Sequence, residues 1–396
     1  MNPHLDRLKP YPFERLNVLL DGLTPNPSQQ PVALSLGEPK HDAPHFVVTA
    51  LTAEDTIRHG LATYPPTRGS DNLRSAISQW INRRYGMELD PAAEVLPVSG
   101  TREALFSFGQ AILSDKPGAT VLMPNPFYQI YEGAALLRGA TPYYVPATGL
   151  PDFDALPASI WPNVELVYLC SPGNPSGQVV PEQTLAALIR KAREFDFVIA
   201  SDECYSEIYR DEDDPPVGLL EAAANADLGH RNCVVFNSLS KRSNVPGLRS
   251  GFVAGDPDII ARYYDYRTYH GCAMSAHVAA ASELAWSDEA HVVANRALYR
   301  AKFDAVFPVL AYALDVAMPP AAFYLWPKTP VDDETFTAAL YRHQNITVVP
   351  GSYLGRTHNG VNPGKGRVRI ALVAPLADCL AAAERLADFV KTHDFG

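Results

Sequence analysis

The sequence contains few of the residues that build disulfide frameworks and zinc sites. Its five cysteines are scattered, odd in number and without a C-x-x-C pair. The 11 histidines form no H-E-x-x-H motif and no comparable spacing of metal ligands. We therefore expect no disulfide framework and no bound metal.

Long apolar runs and an excess of positive charge are also missing. No stretch approaches about 18 uninterrupted apolar residues, and the N-terminus lacks the apolar segment of a signal peptide. Lysine and arginine number 33 against 44 aspartate and glutamate, a net charge of −11. This acidic balance argues against nonspecific binding of nucleic acid or anionic membranes. With 47% hydrophobic residues in 396, we expect a soluble cytoplasmic protein of about two or three domains.

Short apolar runs alternate with helical patterns between about residues 70 and 260. The predicted strands are 94–98, 120–123, 141–145, 166–170, 197–201 and 234–236. The predicted helices are 74–85, 101–113, 127–138 and 181–194, with Pro181 in the first turn of the last. This alternation predicts an α/β protein with a mainly parallel sheet covered on both faces.

The C-terminal third changes character. It contains predicted helices at 291–314 and 376–392 and predicted strands at 321–326, 346–349 and 367–372. This mixture fits a smaller α+β domain, with a boundary near 285–290. Residues 1–30 are rich in proline and weakly periodic, so we expect an N-terminal arm that packs onto another surface, such as a second subunit.

Lys241 follows the predicted strand 234–236, with Ser238 and Ser240 just before it and Arg249 eight positions after it. A lysine amine loses its proton more easily when it is desolvated or near other cations, and a neutral amine forms a Schiff base with an aldehyde. Hydroxyl groups and a guanidinium bind phosphate. The pattern favours an aldehyde cofactor that carries a phosphate, which is pyridoxal 5′-phosphate. Alone, a lysine after a strand is far more often a solvated surface residue.

Polar residues follow three other predicted strands, where ligands bind in an open α/β sheet. The turn Ser99-Gly100-Thr101-Arg102 opens a helix whose free N–H groups favour a phosphate, although a simple helix cap is the alternative. Asn174, in a loop fixed by two prolines and two glycines, presents an amide that can donate to a phenolate-type oxygen, although an ordinary Asn-Pro turn fits as well.

Asp202 comes directly after the predicted strand 197–201. A carboxylate at the end of a buried strand is costly unless a positive group faces it. A protonated pyridine nitrogen is such a group, and keeping it protonated makes the ring an electron sink. The alternative is an aspartate in a structural salt bridge. Glu203 points the opposite way on an extended segment and is expected to serve structure.

Together these motifs resemble the fold-type I pyridoxal-phosphate aminotransferases of class I/II. The matching segments cover nearly the whole chain: Leu34-Ser35-Leu36-Gly37-Glu38-Pro39, Tyr64-Pro65-Pro66-Thr67-Arg68-Gly69, Asn174-Pro175-Ser176-Gly177, Asp202-Glu203-Cys204-Tyr205, Ser238-Leu239-Ser240-Lys241 and Arg367-Val368-Arg369-Ile370-Ala371. The resemblance implies an aspartate-aminotransferase-like fold. It has an arm of residues 1–30, a large cofactor domain of 49–287 with a mainly parallel seven-stranded sheet, and a small α+β domain of 31–48 and 288–396. It also implies pyridoxal phosphate as cofactor and a homodimer with shared active sites.

The same resemblance implies a role for each matching residue. Lys241 would hold the cofactor as a Schiff base and move the proton between the substrate Cα and the cofactor C4′. Asp202 would pair with the pyridine nitrogen. The other cofactor contacts implied are Asn174 and Tyr205 at the ring oxygen, Tyr128 stacked on the ring, Ser238, Ser240, Arg249, Gly100, Thr101 and Arg102 at the phosphate, and Tyr64 at the phosphate of the neighbouring subunit. Arg369 would clamp the substrate α-carboxylate, assisted by Gly37 and Asn174.

The chain departs from the family pattern at two places. Arg102 stands where relatives often carry a small or uncharged residue, so it either adds a phosphate contact or faces solvent. The segment 269–275 differs from the asparagine- and serine-rich stretch usual there. The difference in segment 269–275 leaves open whether the side-chain specificity of the broad relatives applies to this chain.

Three segments, 240–249, 350–356 and 362–369, resemble the succinyldiaminopimelate aminotransferases of bacterial lysine biosynthesis. The implied reaction transfers an amino group between glutamate and N-succinyl-2-amino-6-oxopimelate in a ping-pong cycle. The succinyl carboxylate requires a second cation, for which Arg68, Arg242, Arg267 and Arg356 are candidates. Alternatives are a transaminase of aspartate, alanine, aromatic or acylornithine substrates, a C–S lyase, a non-catalytic regulator, and a cofactor-free binding protein.

Overall fold

The computed structural model describes residues 1–146 and 149–395. Residues 147 and 148 of the predicted large domain and residue 396 of the predicted small domain lie outside the described residues. The helices are α1 Pro12–Leu20, α2 His45–Leu51, α3 Glu54–Ala62, α4 Asp71–Tyr85, α5 Thr101–Ile112, α6 Gln129–Leu137, α7 Glu182–Phe195, α8 Leu219–Asn225, α9 Leu239–Arg242, α10 Pro257–His270, α11 Ala276–Ser287, α12 Ala290–Ala311, α13 Asp333–Gln344, α14 Gly351–Leu354 and α15 Leu376–Thr392. The strands are β1 Val32–Ala33, β2 Val95–Val98, β3 Thr120–Asn125, β4 Thr141–Pro146, β5 Val164–Cys170, β6 Val198–Asp202, β7 Cys233–Ser238, β8 Gly251–Gly255, β9 Tyr324–Leu325, β10 Ile346–Thr347, β11 Val349–Pro350 and β12 Val368–Ala371.

A seven-stranded sheet forms the centre of the molecule, with strand order β2-β8-β7-β6-β5-β3-β4. Only β8 runs antiparallel to its neighbours β2 and β7, and the other pairings are parallel. The predicted α/β class and the mainly parallel seven-stranded sheet are therefore confirmed. The sequence pattern missed β8, because its short apolar run is bounded by glycines and reads as a continuation of the preceding turn.

Both faces of this sheet are buried, which explains the nearly continuous apolar runs of its strands. Val235 packs into the hydrophobic core on one face, whereas its neighbours Val234 and Phe236 pack into the core on the other. The same alternation occurs along β5 and β6. Because parallel strands end at one edge, the polar residues that follow β2, β5, β6 and β7 meet there.

The helix boundaries follow local capping signals. Ser70 caps α4 by accepting from the backbone N–H of Leu73, and Gly86 ends the helix at a φ of 66°. Pro181 lies at the N-cap of α7, one position before the predicted first turn. The predicted helix 291–314 is α12, and 376–392 is reproduced as α15.

A second assembly lies in the C-terminal third. An antiparallel sheet of order β11-β12-β9 is covered by α12, α13 and α15, and β10 pairs in parallel with β1 from the N-terminal region. The predicted strand 321–326 is reduced to β9, and 346–349 is two short strands, β10 and β11. The division into an arm, a large domain and a small domain stays a prediction. No helix among the described residues is long and apolar enough to cross a membrane.

Candidate active site

A pocket of about 430 Å³ opens at the carboxyl edge of the central sheet. Twelve of the residues singled out in the sequence line it: Gly37, Thr101, Arg102, Tyr128, Asn174, Asp202, Tyr205, Ser238, Ser240, Lys241, Arg249 and Arg369. Gly100 lies against Arg249 at the pocket wall. Tyr64 is not part of this pocket and is fully exposed.

Lys241 projects into the pocket from α9, a single turn that follows β7 directly. Its Nζ donates a hydrogen bond to the carbonyl oxygen of Gly37 at 2.5 Å. Burial is the main cause that lowers the pKa of Lys241 to about 8, and the positive charges of Arg369 and Arg249 act in the same direction, against the opposing effects of Cys204 and Glu38. The amine is therefore far easier to deprotonate than an ordinary lysine.

Asp202 is the last residue of β6 and lies at the bottom of the pocket. Its Oδ2 accepts a hydrogen bond from the hydroxyl of Tyr131 at 2.7 Å, and its Oδ1 accepts one from the backbone N–H of Cys204 at 3.2 Å. Burial raises the pKa of Asp202, and these hydrogen bonds lower it in part. Within the described residues no cationic side chain forms an ion pair with this carboxylate.

Tyr131 is a site residue that the sequence reasoning missed. It lies on α6, three positions after Tyr128, so the two side chains share one face of the helix. Its ring stacks on that of Tyr168 with centroids 4.7 Å apart, which fixes its hydroxyl against Asp202. The spacing of three positions between Tyr128 and Tyr131 is the sequence signal that could have identified Tyr131.

A concave cradle of small and polar groups lies at the other end of the pocket. Gly100, at the N-cap of α5, has a φ of 86°, and a Cβ there would overlap with the guanidinium of Arg249. Ser238 accepts a hydrogen bond from the backbone N–H of Ser240 at 3.0 Å. The free N–H groups at the start of the twelve-residue helix α5, the hydroxyls and Arg249 form a surface suited to a phosphate.

Arg369 lies on β12, the middle strand of the three-stranded sheet, and is only 4% exposed. It donates to Asn174 Oδ1 at 3.0 Å and to the carbonyl oxygen of Ser35 at 2.7 Å. Because a guanidinium has only donors, it holds the amide oxygen of Asn174 and leaves the amide NH₂ free to donate. Arg369 is therefore neither solvated nor on an edge strand.

The wall between Lys241 and Arg369 is built from aromatic residues around Gly37. The hydroxyls of Tyr205 and Tyr324 lie 2.8 Å apart, and a Cβ on Gly37 would overlap with the Tyr324 hydroxyl. Glycine is therefore required where the backbone passes this close to Tyr324. Glu203 points away, is 2% exposed and accepts from the backbone N–H of Leu219, as expected for a structural residue.

The pocket mouth consists of Tyr11, Phe13 and Arg102. Arg102 is exposed, and its guanidinium carbon lies 5.5 Å from the ring centroid of Tyr11. In the part of the chain that the structure describes, Arg102 forms no ion pair and no hydrogen bond. It is the least constrained cation of the pocket.

The four arginines proposed for the succinyl carboxylate do not line this pocket. Arg68 donates to the carbonyl oxygen of Ala92 and stacks on Tyr264, Arg242 is buried against Glu289, Arg267 is buried against Glu103, and Arg356 pairs with Glu132. Each cation is engaged elsewhere in the chain, so none of them is placed to bind a ligand of this pocket.

Comparisons with known proteins agree with this geometry. The family model for aminotransferase class I and II matches residues 29–386. The chain belongs to the class I and II aminotransferases. An LL-diaminopimelate aminotransferase of Syntrophobacter fumaroxidans is 30% identical over 96% of this chain and 97% of that protein.

Solved aminotransferase structures superpose on the whole chain. An aminotransferase from Neisseria meningitidis Z2491 is 46% identical, with a TM-score of 0.94, and the match covers 98% of this chain and 100% of that one. A Thermus thermophilus protein named a probable N-succinyldiaminopimelate aminotransferase is 26% identical, with a TM-score of 0.83 and coverage of 95% and 99%. The aspartate-aminotransferase-like fold is thereby confirmed.

Aminotransferases of this fold use pyridoxal phosphate, and the pocket fits it. The buried carboxylate of Asp202 lacks a basic partner among the described residues and suits a protonated ring nitrogen, while the cradle at Gly100 and Arg249 suits a phosphate. Lys241 lies between these two ends with its pKa lowered by burial. The absence of a metal stays a prediction, since Glu103, His270 and Cys272 offer ligand atoms within 4.8 Å of one another.

Proposed function

We propose that this aminotransferase is an N-succinyl-LL-2,6-diaminopimelate:2-oxoglutarate aminotransferase of lysine and diaminopimelate biosynthesis, acting in the cytoplasm. The observation that carries the proposal is the presence of two anion-binding positions in one pocket, a fixed Arg369 and a free Arg102. The substrate carries three carboxylates, one on the reacting carbon, one on the far amino-acid carbon and one on the succinyl group, and such a pair could bind the first and the last. The Syntrophobacter and Thermus relatives, both named for diaminopimelate substrates, support the same substrate class.

Asp202 and Lys241 on the pocket floor, together with Arg249 in the cradle, would hold the cofactor. When bound, pyridoxal phosphate supplies an aldehyde that takes up the amino group and a protonated ring that withdraws electrons from the substrate Cα. Lys241 Nζ would bind the aldehyde carbon covalently and, once displaced by substrate, move the proton at Cα. Asp202 would keep the ring nitrogen protonated, with Tyr131 orienting the carboxylate.

The remaining cofactor contacts follow from where the side chains point. The free NH₂ of Asn174 and the hydroxyl of Tyr205 would bind the ring oxygen, and Tyr128 would stack on the ring. The phosphate would be bound by Ser238, Ser240, Arg249 and the backbone N–H groups of Gly100, Thr101 and Arg102.

The substrate carboxylates would be bound at opposite ends of the pocket. Arg369, oriented by Asn174, would bind the α-carboxylate, with the backbone of Gly37 beside it. We assign the succinyl carboxylate to Arg102, because the guanidinium faces the pocket mouth without a competing partner among the described residues. This assignment replaces the four arginines that the sequence had suggested.

We further propose a homodimer with shared active sites, in which Tyr64 contacts the phosphate of the partner subunit. Three large apolar residues, Leu61, Tyr64 and Tyr269, are 83%, 102% and 95% exposed. Leu61 lies on α3, which packs against α11, and Tyr64 follows α3 directly. A partner subunit would cover these exposed side chains. A monomer in light scattering at micromolar concentration would contradict the dimer.

The second candidate is an LL-diaminopimelate aminotransferase, which the name of the Syntrophobacter relative favours. Both substrates carry a carboxylate on the far amino-acid carbon. LL-diaminopimelate also carries an ammonium group there, where the succinyl derivative carries an uncharged amide and a further carboxylate. Apart from Asp202, the acidic residue among the described residues that line the pocket is Glu38, which is paired with Lys40. We favour the succinylated substrate because this leaves no unpaired carboxylate among the described lining residues for that ammonium group.

Half-reactions of the holoenzyme separate these substrates. Loss of the absorbance of the bound cofactor is followed with N-succinyl-LL-diaminopimelate, LL-diaminopimelate, glutamate, aspartate, alanine, an aromatic amino acid and acylornithine. We expect rapid reaction with glutamate and the succinyl substrate. Reaction with glutamate but not with N-succinyl-LL-diaminopimelate would refute the assignment, and pyruvate release from cystathionine would reveal a C–S lyase.

A further inference from the structure

The side chain of Asn295, on α12, binds the backbone of α9, the turn that carries Lys241. Its Nδ2 donates to the carbonyl oxygens of Lys241 at 3.1 Å and Arg242 at 3.2 Å. Its Oδ1 accepts from Asn244 Nδ2 at 2.8 Å. Because α9 has only four residues, carbonyls at its end lack helical N–H partners, and Asn295 supplies them.

Asn295 is also hydrogen-bonded to His41, which lies in the N-terminal part of the chain. His41 Nδ1 lies 2.9 Å from Asn295 Oδ1. Since the NH₂ group of Asn295 is used by two carbonyls, its oxygen is the acceptor and His41 Nδ1 carries the proton. The ring of His41 packs on that of Tyr299 with centroids 4.6 Å apart, and Asn295 is 3% exposed. The pair is thus a fixed, buried contact.

His41 follows Gly37 by four residues, and Gly37 accepts the hydrogen bond from Lys241 Nζ. Segment 37–41 is therefore linked to Lys241 twice, once directly and once through Asn295. At one end its carbonyl binds the amine, and at the other end His41 binds Asn295, which holds the Lys241 backbone. Any shift of this segment acts on both the amine and the backbone of the lysine.

We propose that Asn295 is a positioning residue for Lys241 and that His41 couples segment 37–41 to it. The inference rests on the proposed role of Lys241 and is independent of the substrate assignment. The amine must leave Gly37 and swing between two carbon atoms while its Cα stays in place. Asn295 fixes that Cα through the backbone carbonyls, so that only the side chain moves.

The test is a pH titration of the absorbance of the holoenzyme without substrate, which reports the protonation of the Lys241–cofactor link. In N295A we expect the titration midpoint to shift by at least about 0.5 pH unit. We also expect kcat for glutamate to fall about 10- to 100-fold, with KM changed less than about threefold. In H41F both effects should have the same sign and be smaller.

The control is N362A, which likewise removes an amide that donates to a backbone carbonyl, that of Ser352 at 3.0 Å, away from the pocket. Loss of thermal stability common to N295A and N362A marks a structural effect, whereas a shifted titration belongs to N295A alone. If N295A does not fold, the same titration is measured on N295D and H41F, because both replacements keep a side chain of similar volume.

A titration midpoint in N295A and H41F equal to that of the wild type would overturn the proposal. Failure of the proposed substrate leaves this titration unaffected, because no substrate is present. If Lys241 is not the residue that binds the cofactor, borohydride will fix the cofactor to a different residue.

Discussion

Arg369 and Arg102 face the same pocket but are held in opposite ways. Arg369 is buried on β12, where Asn174 and a backbone carbonyl fix its guanidinium. Arg102 is exposed at the start of α5, and its guanidinium lies against the ring of Tyr11. A buried, oriented charge interacts strongly because water does not screen it, whereas an exposed charge is screened and loses side-chain entropy when it binds. Arg369, which we assign to binding every amino donor, is thus buried and hydrogen-bonded, and Arg102, which we assign to substrate choice, is exposed.

The largest effect is expected at the floor, from Lys241→Ala. Without the amine, no group holds the aldehyde or moves the Cα proton, so kcat should fall by about 10⁴-fold or more. Steady-state transamination of glutamate measures this, and borohydride followed by peptide mapping checks the attachment site. K365A, which removes an exposed lysine, should retain wild-type activity. A K241A enzyme with a tenth of wild-type activity would refute the role.

Arg369→Ala should lower kcat/KM about 10²- to 10³-fold for every amino donor, since a buried charged partner is lost. R369K should restore little of it, because an ammonium cannot bind a carboxylate bidentately or hold Asn174 in the same way. If R369A slows the succinyl substrate alone and spares glutamate, Arg369 does not bind every amino donor, and the contrast drawn with Arg102 is wrong.

Tyr131→Phe keeps the ring stacked on Tyr168 and removes only the hydroxyl that donates to Asp202. We expect cofactor affinity to fall about tenfold, as for a lost hydrogen bond to a charged group. The hydroxyl lowers the pKa of Asp202, so its loss should raise that pKa, and cofactor binding should be lost at a higher pH on acidification. Fluorescence titration of pyridoxal phosphate across pH measures both effects. Y144F, which breaks the hydrogen bond of Tyr144 to Glu132, is the matched control.

The pH dependence of cofactor capture should reflect the lowered pKa of Lys241, about 8. Below that pH the amine is protonated and cannot attack an aldehyde, so capture by the apoprotein should speed up as pH rises. Between pH 7 and pH 9 the neutral fraction, and with it the rate, should rise about tenfold before levelling off. An acetylated lysine amide, whose amine titrates near about 10.4, is the reference and should not level off there. A protein profile identical to that reference would contradict the prediction.

The smallest effect is expected at the mouth, from Arg102→Gln. An exposed ion pair contributes little, so KM for N-succinyl-LL-diaminopimelate should rise only about three- to fivefold. KM for glutamate should stay unchanged, and the difference should shrink at high salt. R262Q, at an exposed position of α10, is the control. Equal effects on both substrates would indicate that Arg102 binds the cofactor phosphate and not the succinyl carboxylate.

The central fold and the residues that line the pocket were predictable because the signal is local. Each strand is an apolar run and each polar residue follows it directly, so the shared edge of a parallel sheet brings Asn174, Asp202 and Lys241 together. The resemblance to a family added Gly37 and Arg369, which lie far apart in the sequence.

Contacts between distant segments could not be predicted from the sequence. The pairing of Arg242 with Glu289 and of Arg267 with Glu103, which removes both from the substrate, depends on tertiary packing. The same holds for His41 and Asn295, which are separated by 254 residues. Pattern and spacing carry no information on such distances.

The antiparallel strand β8 has a consequence for the spacing of Lys241 and Arg249. Ser238, at the end of β7, pairs with Gly251, at the start of β8, and the Leu239 N–H donates to the Ser250 carbonyl oxygen at 3.1 Å. Both cationic residues therefore sit on one loop that is closed at its base by a strand pair. A rearrangement of the three-stranded sheet would move Arg369 and leave the distance between Lys241 and Arg249 unchanged. The length of ligand that this loop can span is thus a property of one hairpin, independent of where the substrate carboxylate is bound.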